Sequence, residues 1–463
     1  TVSTSIHVDD MFSLSPTQQQ EVLAAWIEKE KGQNFDWTCP PLIRFFIQRL
    51  SDESFYLILS CHNSILDGWS KASLITELLH RYYALLQGEI YPITSPPLIT
   101  YRDFVALERQ TLNSPQCHLY WTQKLQACVT TKLPRSSSVP SATKKVQIGV
   151  LDVPISVQLS DRLKKLARLA EVPLKNVLLA AHLFVMSFVS GDTDVLTGFE
   201  CNGRLEEADG EKTLGIHLNT VPLRVKLLGG TWIDLVKLAF EAEQELLPFR
   251  RYPYADLQKL SGRQPQQPLV ETVFNYTHFH IYQSTQSLKD LAIVGAKGFG
   301  ETHYVLRAEF NRNHASDQIQ LDLECNLAEI DNEQLKAIGS YYLETLTAMS
   351  KQPFERYESQ CLLPDTQKQQ LLVEWNNNAI AYSPEKLIYQ IFEEQAVKNP
   401  DAVAIDFNDK QLSYQELNSL ANVLAHNLRL MGVTANVPVA ICVERSWEMV
   451  AGILAILKAG GAY

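Results

Sequence analysis

His62, Asn63 and Asp67 concentrate the sequence's chemistry within Ser60-Cys61-His62-Asn63-Ser64-Ile65-Leu66-Asp67-Gly68-Trp69-Ser70. A histidine such as His62 can serve as a general base because imidazole titrates near neutral pH. Asn63 can donate and accept hydrogen bonds but does not titrate. Asp67 can orient His62 directly, or pair with a distant arginine to hold the segment. On residue type alone, His62 and Asp67 can equally do no more than stitch a turn together.

The flanking elements place this segment where a strand gives way to a helix. Leu42 to Leu50 and Phe55 to Ser60 read as two strands joined by the polar turn Ser51-Asp52-Glu53-Ser54. After the Asp67-Gly68 turn, Ser70 reads as an N-cap. Leu74, Leu78, Tyr82 and Leu85 follow at helical spacing, with Gly88 as the stop. Side chains at such a junction are held rigidly while facing a cleft.

Elsewhere, Pro16 to Lys31 reads as an amphipathic helix. The Ser, Pro and Lys-rich run from Arg135 to Lys145 reads as a boundary. Beyond it come strands at Val146 to Val153, Asp194 to Glu200, Asn219 to Leu227, Val270 to Tyr276 and Ile319 to Cys325. Helices are expected at Ser160 to Ala170, Leu174 to Ser190, Trp232 to Leu246 and Asn332 to Ser350. Cys361 to Pro384 reads as a linker. A helix (Leu387 to Val397), a hairpin (Val403 to Phe407 with Gln411 to Tyr414) and two further helices separated by a strand at Val439 to Val443 follow. Strands alternating with helices place the chain in the α/β class.

The 463 residues carry a formal net charge of -11, which argues against a nucleic-acid groove. No apolar run is long enough to span a bilayer, and no signal pattern opens the sequence. The eight cysteines are scattered without metal-knuckle or CxxC spacing and read as reduced thiols, so a cytoplasmic location is expected. His278 and His280 would share one strand face, a spacing that can bind metal. Phe274, Tyr276, Phe279 and Tyr282 around them favour packing, and no metal is expected. Thr1 in place of an initiator Met and an end just past Gly460-Gly461 read as a piece of something longer.

The central segment resembles the HHxxxDG signature of condensation domains of non-ribosomal peptide synthetases, a family of acyltransferases shaped like chloramphenicol acetyltransferase. The resemblance extends from about Phe35 to Ser350. Phe35-Asp36-Trp37 and Pro41-Leu42-Ile43-Arg44 resemble the lead-in. Tyr101-Arg102-Asp103-Phe104 resembles YxDF, and Asn202-Gly203-Arg204 the GR segment. Gly215 to Arg224 is similar to GxFxNTxPLR, with His217 in place of the Phe. Arg251 to Leu257 and Pro268 to Tyr276 resemble two later motifs. The tail resembles the opening of an adenylation domain, through Pro400-Asp401-Ala402-Val403-Ala404, Leu412 to Asn418 and Leu457-Lys458-Ala459-Gly460-Gly461-Ala462-Tyr463.

The resemblance implies two α/β lobes with a tunnel between them: an incomplete N-terminal lobe over 1–138 and a C-terminal lobe over 139–360. A linker over 361–384 and an incomplete adenylation domain over 385–463 would follow. It implies amide formation between aminoacyl or peptidyl groups tethered to upstream and downstream carrier domains. The phosphopantetheine arms would belong to those partners, and no cofactor would bind directly. ATP would serve only a complete adenylation domain, whose remainder is a further expected partner. The family's first His, Asp and turn Gly map to His62, Asp67 and Gly68. Its second His, which faces the cleft as base or amine-positioning group, maps to Asn63. Arg204 would pair with Asp67, Asn219 would line the cleft, and Tyr101 and Asp103 would support it. Asn63 cannot accept an ammonium proton, so the site reads as weakened or silent. A carrier-docking module without catalysis is one alternative. Epimerisation or heterocyclisation relatives are another, which His62 and the adenylation-like tail oppose.

Overall fold

The computed structural model describes the whole chain except residues 1–3, 5, 93–94, 136–146, 265–266, 279–280, 282–283, 286–287, 289–290, 296–297, 299, 301–303, 314–315 and 381–385. Two compact units divide it, Thr1–Lys368 and Gln369–Tyr463.

The first unit opens with β1 (Ile6–Asp10), α1 (Pro16–Lys31), β2 (Ile43–Arg49), β3 (Phe55–Cys61), α2 (Gly68–Leu86), α3 (Tyr101–Leu112) and α4 (Pro115–Leu125). The strands form a three-stranded sheet in which β1 runs parallel to β2 and β2 antiparallel to β3. Arg49 faces Phe55 and Ile43 faces Cys61, so the register runs straight from the turn at 51–54 to the motif. At that end the His62 N–H donates to the Leu42 carbonyl at 3.0 Å, fixing where the chain leaves the sheet.

A second, mixed sheet follows, with β4 (Ile148–Val153), β5 (Asp194–Asn202), β6 (Leu218–Lys226), β7 (Thr272–Thr277), β8 (Leu306–Arg312) and β9 (Ile319–Asn326) in the order β4-β9-β8-β7-β5-β6. Its helices are α5 (Val157–Ala170), α6 (Leu174–Ser190), α7 (Trp232–Leu246), α8 (Tyr254–Leu260) and α9 (Asn332–Lys351). Every residue of α6 from Asn176 to Met186 is buried, because α5, α7, α9 and strands β5 and β7 surround it. The expected helices and strands of this region are present, with ends shifted by a few residues.

After α10 (Asp365–Gln369), the second unit holds α11 (Ile388–Lys398), the antiparallel pair β10 (Val403–Phe407) and β11 (Lys410–Ser413), α12 (Tyr414–Leu430) and α13 (Trp447–Ala459). Its centre is Lys458, whose buried ammonium donates to Glu393, to Asn418 at 2.6 Å and to Asn422 at 2.7 Å. No helix among the described residues is by itself long and apolar enough to cross a membrane.

Three readings change. Val439 to Val443 is not a strand: the chain meets Ala462 only through an isolated bridge at Pro438, and no neighbouring strand continues a ladder. Ser70 is not the cap of α2; Asp67 is, with extended backbone and a carboxylate that accepts the Ser70 N–H at 2.8 Å. Strand β8 and helices α3 and α4 are present where no element was expected. Residues 136–145 of the expected boundary loop lie outside the described residues, as do Phe279, His280 and Tyr282.

Candidate functional site

The link between β3 and α2 has an exposed front and a buried back. At the front, the His62 Nδ1 accepts the Ser64 backbone N–H at 3.1 Å and lies 2.7 Å from the Ser64 hydroxyl. The ring sits beside Trp37 and Phe35. Asn63 is exposed, and its Oδ1 accepts the Lys71 ammonium at 3.0 Å. Gly68 is the exposed first residue of α2.

Asp67 forms the back. Arg204 grips it with two parallel bonds, Nη1 to Oδ2 at 2.8 Å and Nη2 to Oδ1 at 2.9 Å. Both side chains are buried, at 5% and 4% exposure. Oδ1 also accepts the Ser70 N–H, and Oδ2 accepts the His217 N–H at 3.0 Å. Burial alone would raise the Asp67 pKa. His217, the Arg204 guanidinium and the Ser70 N–H outweigh it and hold the carboxyl far below its ordinary range. Asp67 is therefore a paired anion, as a buried charge must be.

The Ser70 hydroxyl extends this lock. It accepts from Arg204 Nη2 at 2.7 Å and from the Gly215 N–H at 3.1 Å, and donates to the Gly215 carbonyl at 2.9 Å. That carbonyl also accepts the Asp67 N–H at 3.0 Å. Gly215 is required by close approach: a Cβ there would fall 2.2 Å from the Tyr101 ring. The buried His217 ring packs against Tyr101 and Phe104, with Nδ1 3.6 Å from Asp67 Oδ2. An aromatic-shaped slot thus accepts an imidazole beside an anion.

Arg204, Tyr101, His217 and Asp67 come together as one assembly. Asp103 does not join it; it caps α3, accepting the Thr100 N–H and hydroxyl, both at 2.8 Å. Asn219 uses its amide N–H groups on the Arg250 and Tyr252 carbonyls, both at 2.8 Å, and so anchors the chain at 250–252 to β6. Arg251 donates to the Gly203 carbonyl at 2.8 Å and to the Arg204 carbonyl at 3.0 Å, supporting the arginine from behind. Sequence reasoning assigned Ser70 and Lys71 no part in the site. A helical period places both one turn after Asp67, which was the available signal.

A cavity of about 930 Å³ lies at the end of β5, lined by Phe199, Arg204, Lys175, Glu243, Arg250 and His278 among others. It reaches Arg204 but neither His62 nor Asn63. Among the described residues, no three His, Cys, Asp or Glu side chains gather as metal ligands.

The family model described as Condensation domain matches residues 1–372, and the AMP-binding enzyme model matches residues 392–463. Tyrocidine synthase 3 of Brevibacillus parabrevis is 30% identical over 99% of this chain, which covers 7% of that protein. Bacitracin synthase 3 of Bacillus licheniformis is 29% identical over 98% of this chain and 7% of its own length. The chain thus spans less than a tenth of either relative. Among solved structures, a four-domain nonribosomal peptide synthetase bound to AMP and glycine superposes with a TM-score of 0.66 at 18% identity, over 100% of this chain and 36% of that one. The X-domain from teicoplanin biosynthesis gives 0.64 at 17% identity, over 78% of this chain and 81% of its own.

Proposed function

The chain belongs to the condensation-domain family of peptide synthetases, and from that premise we propose that its His62–Asp67 loop faces two carrier-tethered substrates. The acceptor's α-amine attacks the donor's thioester carbonyl, the C–N bond forms, the C–S bond breaks, and the carrier thiol leaves with a proton. The phosphopantetheine arms come from partner carrier domains. Holding both arms in one place supplies most of what aminolysis needs.

The observation that carries this reading is the paired, buried Asp67–Arg204 lock behind the loop. It fixes the Asp67 end of the loop, while the His62 N–H bond to the Leu42 carbonyl fixes the other end, and neither the His62 nor the Asn63 side chain is used for it. His62, Asp67, Gly68 and Arg204 then act as positioning residues, with Tyr101 and Asn219 holding the surrounding walls and Asp103 holding α3. Asn63 occupies the place of the base and cannot take a proton, so turnover falls by roughly 10² to 10⁴ if that group acts as general base. We assign the lobes to 1–138 and 139–360, the linker to 361–384 and the adenylation portion to 385–463. ATP use belongs to a complete adenylation domain.

A second reading is a docking module that binds carrier-tethered groups without joining them. The Asn63–Lys71 contact favours it. Dipeptide formation decides between the two. The chain is presented with loaded donor and acceptor carrier proteins, unchanged or as Asn63→His. We expect slow or absent turnover from the unchanged chain and a gain of at least about tenfold from N63H. Rapid turnover by the unchanged chain overturns both the impaired site and the docking role.

A further inference from the structure

Lys71 lies in the first turn of α2, where its backbone N–H donates to the Asp67 carbonyl at 3.0 Å. Its ammonium reaches back to Asn63 at 3.0 Å. An ammonium has only donors, so the amide atom it meets is the oxygen. That contact leaves the Asn63 NH₂ group as the end of the side chain still available. Among the described residues no carboxylate lies within ion-pair distance of Lys71, so its charge is uncompensated.

His62 is biased the same way. The Ser64 backbone N–H can only donate, so Nδ1 accepts and the neutral ring carries its hydrogen on Nε2. The Lys71 ammonium, the Asn63 NH₂ group and the His62 Nε2 hydrogen therefore present donors side by side. An α-ammonium is itself donor-only and positively charged, so it competes with Lys71 for the Asn63 oxygen and meets a like charge beside it. A negatively charged oxygen meets both partners it needs.

We infer that Lys71 sets the substrate preference of this loop, selecting a pantetheine-tethered acyl group that carries a carboxylate and disfavouring one that presents a free α-ammonium. The inference rests on the reading of this loop as the substrate-facing part of a condensation domain.

Three N-acetylcysteamine thioesters test it by titration against the folded chain: succinyl (carboxylate), acetyl (neutral) and glycyl (ammonium). We expect succinyl to bind about tenfold more tightly than glycyl, the scale of one unit charge at short range near a surface. Lys71→Gln should bring the two within about twofold, while Lys71→Arg, which keeps the charge, should retain the order. In the unchanged chain the preference should shrink as NaCl rises, a readout that needs no variant to fold. Glycyl binding as tightly as succinyl, an order unchanged in K71Q, salt independence, or no measurable binding of any probe overturns the inference. Dipeptide formation by the same preparation is read separately. Rapid turnover by the unchanged chain sinks the impaired-site reading, whereas the role of Lys71 stands or falls on the titration.

Discussion

The back and the front of the β3–α2 link differ in how their side chains are held. At the back, Asp67, Ser70, Arg204 and His217 are buried, and the Asp67–Arg204 pair is bidentate. At the front, Asn63 is exposed and its Oδ1 accepts from Lys71. The back determines whether the loop exists in this shape; the front determines what the loop can do. A substitution at the front can therefore change chemistry while leaving the fold intact, which is the pattern Asn63 presents.

Substitutions at the back should have the largest effects. Asp67→Ala strands a buried guanidinium and should cost about 3–5 kcal/mol in chemical denaturation. A loss under about 1 kcal/mol would make the lock dispensable. Gly215→Ala drives a methyl into the Tyr101 ring and should cost about 1–3 kcal/mol by the same measurement. Acid separates the two sides further. Asp67 ionises far more readily in the folded chain than at its ordinary value of 3.8. The unfolded chain then binds the proton more tightly, so this stabilisation is complete above about pH 4 and is lost as pH falls further. Asp67→Asn should flatten that part of the acid-unfolding curve, and no Asn63 variant should.

The front should respond in rate and binding instead. Adding Lys71→Gln to Asn63→His should raise dipeptide formation by roughly a further three- to tenfold over N63H alone, since a neighbouring cation opposes protonation of the new base. An unchanged rate would separate Lys71 from the reaction. The smallest effect is Asn63→Ala on stability, expected within about 0.5 kcal/mol in the same denaturation experiment.

Much of this was legible in the sequence because apolar periodicity reports burial. Helix α7 was bounded correctly at Trp232 and Leu246, and α6 reads as buried from its continuous apolar run. Strand β8 was missed for a definite reason. Arg307 and Glu309 alternate with Leu306, Ala308 and Phe310, and the charges are absorbed across the sheet, Arg307 meeting Glu200 on β5 and Glu324 on β9. Those partners are distant in sequence, so the segment looks merely polar in one dimension. Val439 to Val443 failed in the opposite direction, having strand-forming residues but no ladder. In the site, the pairing of Asp67 with Arg204 followed from resemblance. The bridging role of Ser70 and the contact of Lys71 with Asn63 needed the folded backbone, because both depend on which atom of a side chain is already taken.

Asp67 and Arg204 stand 137 residues apart in the chain. Closing so long a loop has an entropic cost, and that cost must be met before the contact can stabilise anything. The β2–β3 hairpin needs only the turn at 51–54 and can form early. The shape of the loop that follows it must wait for β5 and the segment around Gly215. Competence to hold a substrate is thus expected among the last properties the chain acquires as it folds, and among the first it loses when those distant contacts loosen.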